Sequence, residues 1–393
     1  MNIESTRKDN FPLDVVTAAY LHVELEKKKV RSIQESIAAI LEVKQSTVSR
    51  LLKQARAEGW LKDTPSFAEE KIKPEQLAMV KLRAAGSEVK LKEHLDAIAH
   101  KHKTPTLLSV TVCECFGADQ DERLIHFGRQ AAREIQGWLP KMQLVGVAWG
   151  RTLRALVDGM REEIREHRST NFIPLCGEPI AEHPHGLSSS VIAIELRQIV
   201  QGKLHFSHQL IKDDHNATLL ALPAYIRPGS KHEAALWEYI EEIAGYRSIF
   251  GGRNKAARTS NIPLVERMDS IMTSVGRTIW NVDEFWGDAT GLNKEDLGRF
   301  YVGNIAGTFI EKENLSKVEQ KEVKKHRAGF TGVERKHVEA CAQKAIAANG
   351  GGVITLGLGS EKAEMVIEGI KWGLINRLIV DNELCDALLK MPL

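Results

Sequence analysis

The clearest pattern in the chain is short. From Gln34 to Lys53 it reads QESIAAILEVKQSTVSRLLK, with apolar residues at Ile37, Ala38, Leu41, Val43, Val48, Leu51 and Leu52. Steps of three and four within each half predict two amphipathic helices, and the interval from Leu41 to Val48 leaves room for a turn. Ala38 is small where two steeply crossing helices bring their backbones together. Glu42 stands in the turn, where glycine would take a left-handed backbone at lower cost. Lys44 stands where serine or threonine would cap the second helix better. With the apolar set turned inward, the second helix presents Lys44, Gln45, Ser46, Thr47, Ser49, Arg50 and Lys53, none of them acidic.

The rest of the chain has a different texture. Residues 62–74, with Asp63-Thr64-Pro65-Ser66 and Lys73-Pro74, read as a linker or wing. Residues 75–102 predict a charged helix with an apolar edge of Leu77, Val80, Leu91, Leu95 and Ile98, suited to joining domains or pairing with a second subunit. From about Thr106, apolar runs bounded by glycine alternate with amphipathic stretches. Strands are expected over 107–112, 143–149, 171–175, 218–222, 353–358 and 377–380. Helices are expected over 152–166, 190–200, 232–244, 361–372 and 383–389. This alternation predicts an α/β class, with a largely parallel sheet covered by helices on both faces behind an all-α N-terminal domain. The expected division is a helix-turn-helix unit over 1–62, a helical connector over 63–104 and a large domain over 105–393.

Charge sharpens that division. The 393 residues hold 54 Lys+Arg against 52 Asp+Glu, a formal charge of +2, which argues against a generally basic nucleic-acid binder. Residues 43–62 alone carry +4, so the other 373 residues sum to −2. Cationic, amide and hydroxyl side chains on an acid-free helix face are the types that bond phosphates and base edges in a major groove. The segment therefore points to double-stranded DNA, against the plainer alternative of a helical hairpin with a solvated basic face. Five cysteines without a C-x-x-C pair, no apolar run long enough to cross a bilayer, and a polar, mixed-charge start fit a cytoplasmic protein.

In the large domain, ligands are expected where strands run into helix starts. Gly146-Val147-Ala148-Trp149-Gly150-Arg151-Thr152 is one such place: Gly150 allows close backbone approach, and Thr152 adds a hydroxyl beside free N–H groups. It is neither a Walker A loop nor a full G-x-G-x-x-G, and an ordinary connection is the plain alternative. A second is Gly357-Leu358-Gly359-Ser360-Glu361-Lys362, where a lysine at a helix start makes sense as the counter-charge of a phosphate. A third segment, Gly303-Asn304-Ile305-Ala306-Gly307, sets a polar amide in an apolar stretch, as a ligand group or as a satisfied buried amide. His183, His185, His205, His208 and His215 lack a regular coordinating spacing, so no metal is expected. No cofactor motif and no clear acid/base pair stands out, and no catalytic residue is expected.

Taken end to end, these segments resemble the SorC family of bacterial sugar-sensing transcriptional regulators. The resemblance is carried by Ser46-Thr47-Val48-Ser49-Arg50-Leu51-Leu52, Trp149-Gly150-Arg151-Thr152-Leu153, Val302-Gly303-Asn304-Ile305-Ala306-Gly307, Gly359-Ser360-Glu361-Lys362-Ala363 and Gly373-Leu374-Ile375-Asn376-Arg377-Leu378-Ile379-Val380-Asp381. It implies a Rossmann-like effector domain similar to sugar-phosphate isomerases and glucosamine-phosphate deaminases, one that binds a sugar or sugar phosphate without turning it over. It implies a homodimer or homotetramer, with Gly150, Arg151, Thr152 and Lys362 around the effector phosphate. Asn304 falls where the family usually has an acid. The extra length, around 63–90 and 226–265, has no counterpart in that pattern. The leading expectation is thus an effector-controlled, DNA-binding regulator of a carbohydrate operon. A sugar-phosphate isomerase or deaminase carrying an added helix-turn-helix is the second reading, and a sensor acting through a protein partner is the third.

Overall fold

The computed structural model describes residues 12–27, 30, 32–62, 71–72, 86–115, 119–164, 169–177, 187–202, 222–252, 262–277, 294–348 and 350–393. The chain separates into two compact units, Met1–Lys90 and Leu91–Leu393.

In the first unit, α1 (Leu13–Lys27), α2 (Ile33–Leu41) and α3 (Gln45–Ala57) enclose one apolar core. Ile37, Leu41, Val48 and Leu52 are buried in it, as their spacing predicts. The turn after α2 closes on Glu42 at φ 57° and ψ 41°, a left-handed residue whose N–H donates to the carbonyls of Ala38 and Ala39. A non-glycine residue takes that conformation at about 1–2 kcal/mol, so the cost expected from the sequence is present in the fold. The spacing does not announce α1: Val15, Val16, Ala18, Ala19, Leu21 and Val23 are buried around most of its circumference, and no polar face marks a period.

The second unit is built on an eight-stranded sheet. Its strands are β1 (Ser109–Cys113), β2 (Leu144–Val147), β3 (Asn171–Pro174), β4 (Ser270–Arg277), β5 (Tyr301–Ile305), β6 (Thr308–Glu311), β7 (Gly352–Gly357) and β8 (Arg377–Asp381). The order is β1-β8-β7-β4-β2-β3, all parallel, and β5 and β6 form a hairpin that pairs antiparallel with the end of β4. Neighbouring strand residues enter different cores, because successive side chains point to opposite faces. Ile271, Val353 and Leu378 join one cluster, while Met272, Ile354 and Ile379 join the other. The mixed α/β architecture is therefore the one expected.

Five of the expected strands match β1, β2, β3, β7 and β8 to within a few residues, and the five expected helices are present with shifted ends. The helix expected over 361–372 begins only at Ala363, because Ser360–Lys362 forms a 3-10 turn that makes Lys362 its N-cap. Of the connector expected over 75–102, Gly86–Lys101 is helical. The remainder of that stretch, most of the linker and all but Leu222 of the strand expected over 218–222 lie outside the described residues, as do the five histidines named above. Not anticipated are β4, the β5–β6 hairpin and the helices Gln120–Trp138, Lys317–Arg327 and Arg335–Ala348. Among the described residues no helix is long and apolar enough to cross a membrane, and no group of three or more His, Cys, Asp or Glu could hold a metal ion.

Candidate functional site

On α3 the burial follows the helical period. Val48 and Leu52 face the core, while Lys44, Gln45, Ser46, Ser49, Arg50 and Lys53 are exposed together. Thr47 is half-buried, and its hydroxyl accepts a hydrogen bond from Arg50 at 3.3 Å. Lys44 caps the helix with an extended backbone and no side-chain bond. No carboxylate of the helix competes with an anion at this end, since its first turn has no acidic residue.

The second unit offers a crevice made by chain direction. The helix Arg151–Glu163, which follows β2, packs Leu153, Leu156, Val157 and Met160 on the same face as Met272 and Ile354. The helix Ala363–Lys371, which follows β7, packs Ala363, Val366, Ile367 and Ile370 on the opposite face with Ile271 and Val353. β2 and β7 both flank β4, about 10 Å apart across it. The two connecting loops therefore leave in opposite directions and open a gap above the carboxyl end of β4, the switch point at which such sheets bind ligands.

Each wall of the gap is held in place. Gly150 adopts φ 116°, a backbone closed to side chains, and a Cβ there would lie 3.6 Å from the Ser274 hydroxyl of β4. Its N–H donates to the Leu187 carbonyl at 3.1 Å. The buried Ser189 hydroxyl accepts from the Leu175 N–H at 2.9 Å and donates to the Val147 carbonyl at 2.5 Å, tying the ends of β2 and β3 together. Two glycines, Gly128 and Gly159, let the helices Gln120–Trp138 and Arg151–Glu163 meet backbone to backbone; a Cβ on Gly159 would sit 2.4 Å from the Gly128 carbonyl oxygen. That close contact holds together the two helices, the second of which begins at Arg151.

Across the gap, the loop after β7 hangs on a buried carboxylate. Asp381, fully buried at the end of β8, accepts the Gly359 N–H at 3.0 Å and the Leu384 N–H at 3.1 Å through one oxygen. Its other oxygen meets the Arg123 guanidinium, which also reaches Glu383 at 2.6 Å. Burial pushes the Asp381 carboxyl above its ordinary range, against the pull of those donors. Lys362, three residues past Gly359, lies 3.9 Å from Glu361.

The expected site residues thus take definite places. Gly150, Arg151 and Thr152 stand at the start of the helix after β2 and Lys362 at the start of the helix after β7, the two strands that flank β4. Arg151 is exposed and joins no ion pair among the described residues, whereas Arg154 and Arg161 share Asp158 and Glu195. Asn304 pairs with Gly276 of β4, where its buried amide would lie 2.6 Å from a Cβ. The hairpin turn beyond it, Ala306-Gly307, has both residues at positive φ and is pinned by the Thr273 hydroxyl, which accepts the Ala306 N–H at 2.8 Å. A Cβ on Gly307 would come within 4.0 Å of Trp149 and Cys176. Sequence reasoning missed the floor of the site, Thr273, Ser274 and Gly276, because β4 mixes small polar and apolar residues without a clean alternation.

Residues 106–209 match the family model described as "putative sugar-binding domain". A search of the curated proteins finds no match. The fold is similar to the full-length sorbitol operon regulator SorC of Klebsiella pneumoniae, with a TM-score of 0.54 and 18% identity over 96% of this chain and 98% of that one. A transcriptional regulator from Streptococcus pneumoniae is similar over 77% of this chain and 97% of its own, with a TM-score of 0.51 and 16% identity. The chain thus shares its fold with a SorC regulator, and residues 106–209 match a sugar-binding domain model.

Proposed function

We propose that this protein is a transcription regulator that grips operator DNA through α3 and releases or tightens that grip when a small sugar or sugar phosphate occupies the crevice above β4. The observation that carries the reading is the combination of two features in one chain. An exposed, acid-free α3 face follows a tight turn, and a crevice over β4 has Arg151 on one side and Lys362 on the other. Helix starts and cations of this kind suit an anionic group, and the hydroxyls of Thr152 and Ser274 with the Asn304 amide suit a polyol. An amide in place of a carboxylate at Asn304 both donates and accepts, and it takes no proton from the ligand. The reading is non-catalytic, with no metal or cofactor, and it takes a helix-turn-helix unit over 1–62, a connector over 63–104 and an effector domain over 105–393. Because one α3 reads one half-site, the active form is at least a dimer.

The test uses the full-length protein. Binding sites are first selected from a random duplex library, and stabilisation is screened with a panel of sugars and sugar phosphates. Arg50→Ala should weaken binding to the selected duplex by roughly 1–3 kcal/mol if it contacts a base. The double change Arg151→Ala with Lys362→Ala should remove the sugar-phosphate shift and leave DNA affinity intact. Turnover of a bound sugar phosphate would instead favour an isomerase or deaminase, and failure to enrich any duplex would refute the DNA-binding half.

A further inference from the structure

A cavity of about 890 Å³ lies between the β5–β6 hairpin, the helix Lys317–Arg327, the start of the helix Arg335–Ala348 and the helices Glu233–Glu242 and Ala244–Phe250. Gly150, Arg151, Thr152, Asn304 and Lys362 are not among the described residues that line it. Two of its walls belong to segment 226–265, the added length for which the family resemblance offers no role. The volume falls in the range of small-molecule sites.

The lining divides by chemistry. Trp237, Tyr246, Phe250, Phe309 and Phe330 supply aromatic surface, with Tyr246–Phe250 and Phe309–Phe330 each 5.1 Å between ring centroids. At the rim, Arg327 is held by Glu311 at 3.0 Å and Lys336 by Glu334 at 2.8 Å, and Glu266 adds one more acid. Lys312 and Lys324 are exposed and form no ion pair among the described residues, so two positive charges face the opening uncompensated. His337 is buried in the wall, and its Nδ1 accepts the Glu334 N–H at 3.2 Å. In a neutral ring the proton must then sit on Nε2, which makes that atom a donor. Burial holds the His337 pKa below its ordinary value and keeps the ring neutral.

We propose that this cavity is a second small-molecule site, taking a ligand with a flat aromatic or heteroaromatic ring and one acidic group. The ring lies on the aromatic surface, the acid meets Lys312 and Lys324, and His337 donates to an acceptor on the ring. Among the described residues placed at the crevice, the turn residue Gly307 also lines this cavity, and the inference does not depend on what the crevice binds.

The test is titration of the full-length protein with anilinonaphthalene sulfonate, a fluorescent anionic ring system. Saturable binding at one equivalent is expected. Lys312→Glu with Lys324→Glu, both at exposed positions that should not disturb folding, should weaken it by about tenfold or more. Arg151→Ala with Lys362→Ala should leave it unchanged, and the uncharged analogue phenylnaphthylamine should bind more weakly. Displacement by adenosine monophosphate would identify the acid as a nucleotide phosphate, and displacement by hydroxybenzoate as an aromatic carboxylate. Unchanged affinity in the charge-reversed variant, equal binding of the uncharged analogue, or displacement by neither acid would overturn the proposal.

Discussion

Asp381 performs two tasks through two oxygens, and two substitutions separate them. Oδ1 accepts the N–H groups of Gly359 and Leu384, while Oδ2 pairs with Arg123. Asp381→Asn keeps the Oδ1 acceptor and replaces the other oxygen by an NH₂ group facing a guanidinium. The lost charge-assisted bond is worth about 1.5–3 kcal/mol, partly offset because a buried carboxylate no longer has to be desolvated, which leaves a net cost of about 1–2 kcal/mol. Asp381→Ala also strands two N–H groups beneath the loop and removes the cap of the helix Asn382–Leu389. At about 1–3 kcal/mol for each unsatisfied donor, allowing for relaxation, the total cost should be about 3–5 kcal/mol. Urea unfolding followed by tryptophan fluorescence measures both costs, and amide hydrogen exchange reads Gly359 and Leu384 directly. Protection at those amides should survive in the asparagine variant and collapse in the alanine variant. Equal costs for the two variants, or a protected Gly359 in Asp381→Ala, would refute the claim that this carboxylate suspends the loop carrying Lys362.

Three further outcomes follow from the same packing. Gly159→Ala should destabilise the second unit by about 1–3 kcal/mol, because its Cβ would meet the Gly128 carbonyl at 2.4 Å, whereas Gly137→Ala, with open space around it, should be neutral or mildly stabilising in the same urea assay. Ser189→Ala should cost only about 0.5–1.5 kcal/mol, because the Leu175 N–H and the Val147 carbonyl lose their shared hydroxyl but still bond each other at 3.1 Å, again read from the urea midpoint. His337 has a folded-state pKa below 6.5, so the unfolded chain binds the proton first and stability falls as pH drops through about 6.5 and below. Lys336, Glu334 and Glu266 act on that ring, and the difference in pH slope between the wild type and His337→Gln isolates its share.

The parts of the fold legible in the sequence are those whose periodicity is undisguised. Ile37 through Leu52 alternate cleanly because α2 and α3 each bury a single stripe. The helix Gln120–Trp138 hides its inward face behind the small residues Gly128, Ala131 and Ala132, and at Gly128 the backbone of another helix presses on that surface. β4 is the central strand of the candidate site, yet Ser270 and Thr273 within it are fully buried and polar. The Ser270 hydroxyl serves Asp269 at the amino end of the strand and the Thr273 hydroxyl the Ala306 turn, so Thr273, placed at the candidate site, also masks its strand. Gly150 and Gly359 were legible as loop glycines because both need a positive φ, which few other residues accept. Asp381 ended a recognised motif, but its role depends on Gly359, 22 residues earlier, and no local pattern carries that pairing.

The central claim is that one ligand in the crevice changes the grip of α3 on DNA. The direct measurement is the affinity of the full-length protein for its selected duplex, by fluorescence anisotropy, with and without the sugar phosphate that most stabilises it. A change of about fivefold or more, abolished by Arg151→Ala with Lys362→Ala, is the predicted result. Equal affinity in both conditions, at saturating sugar phosphate, would contradict it.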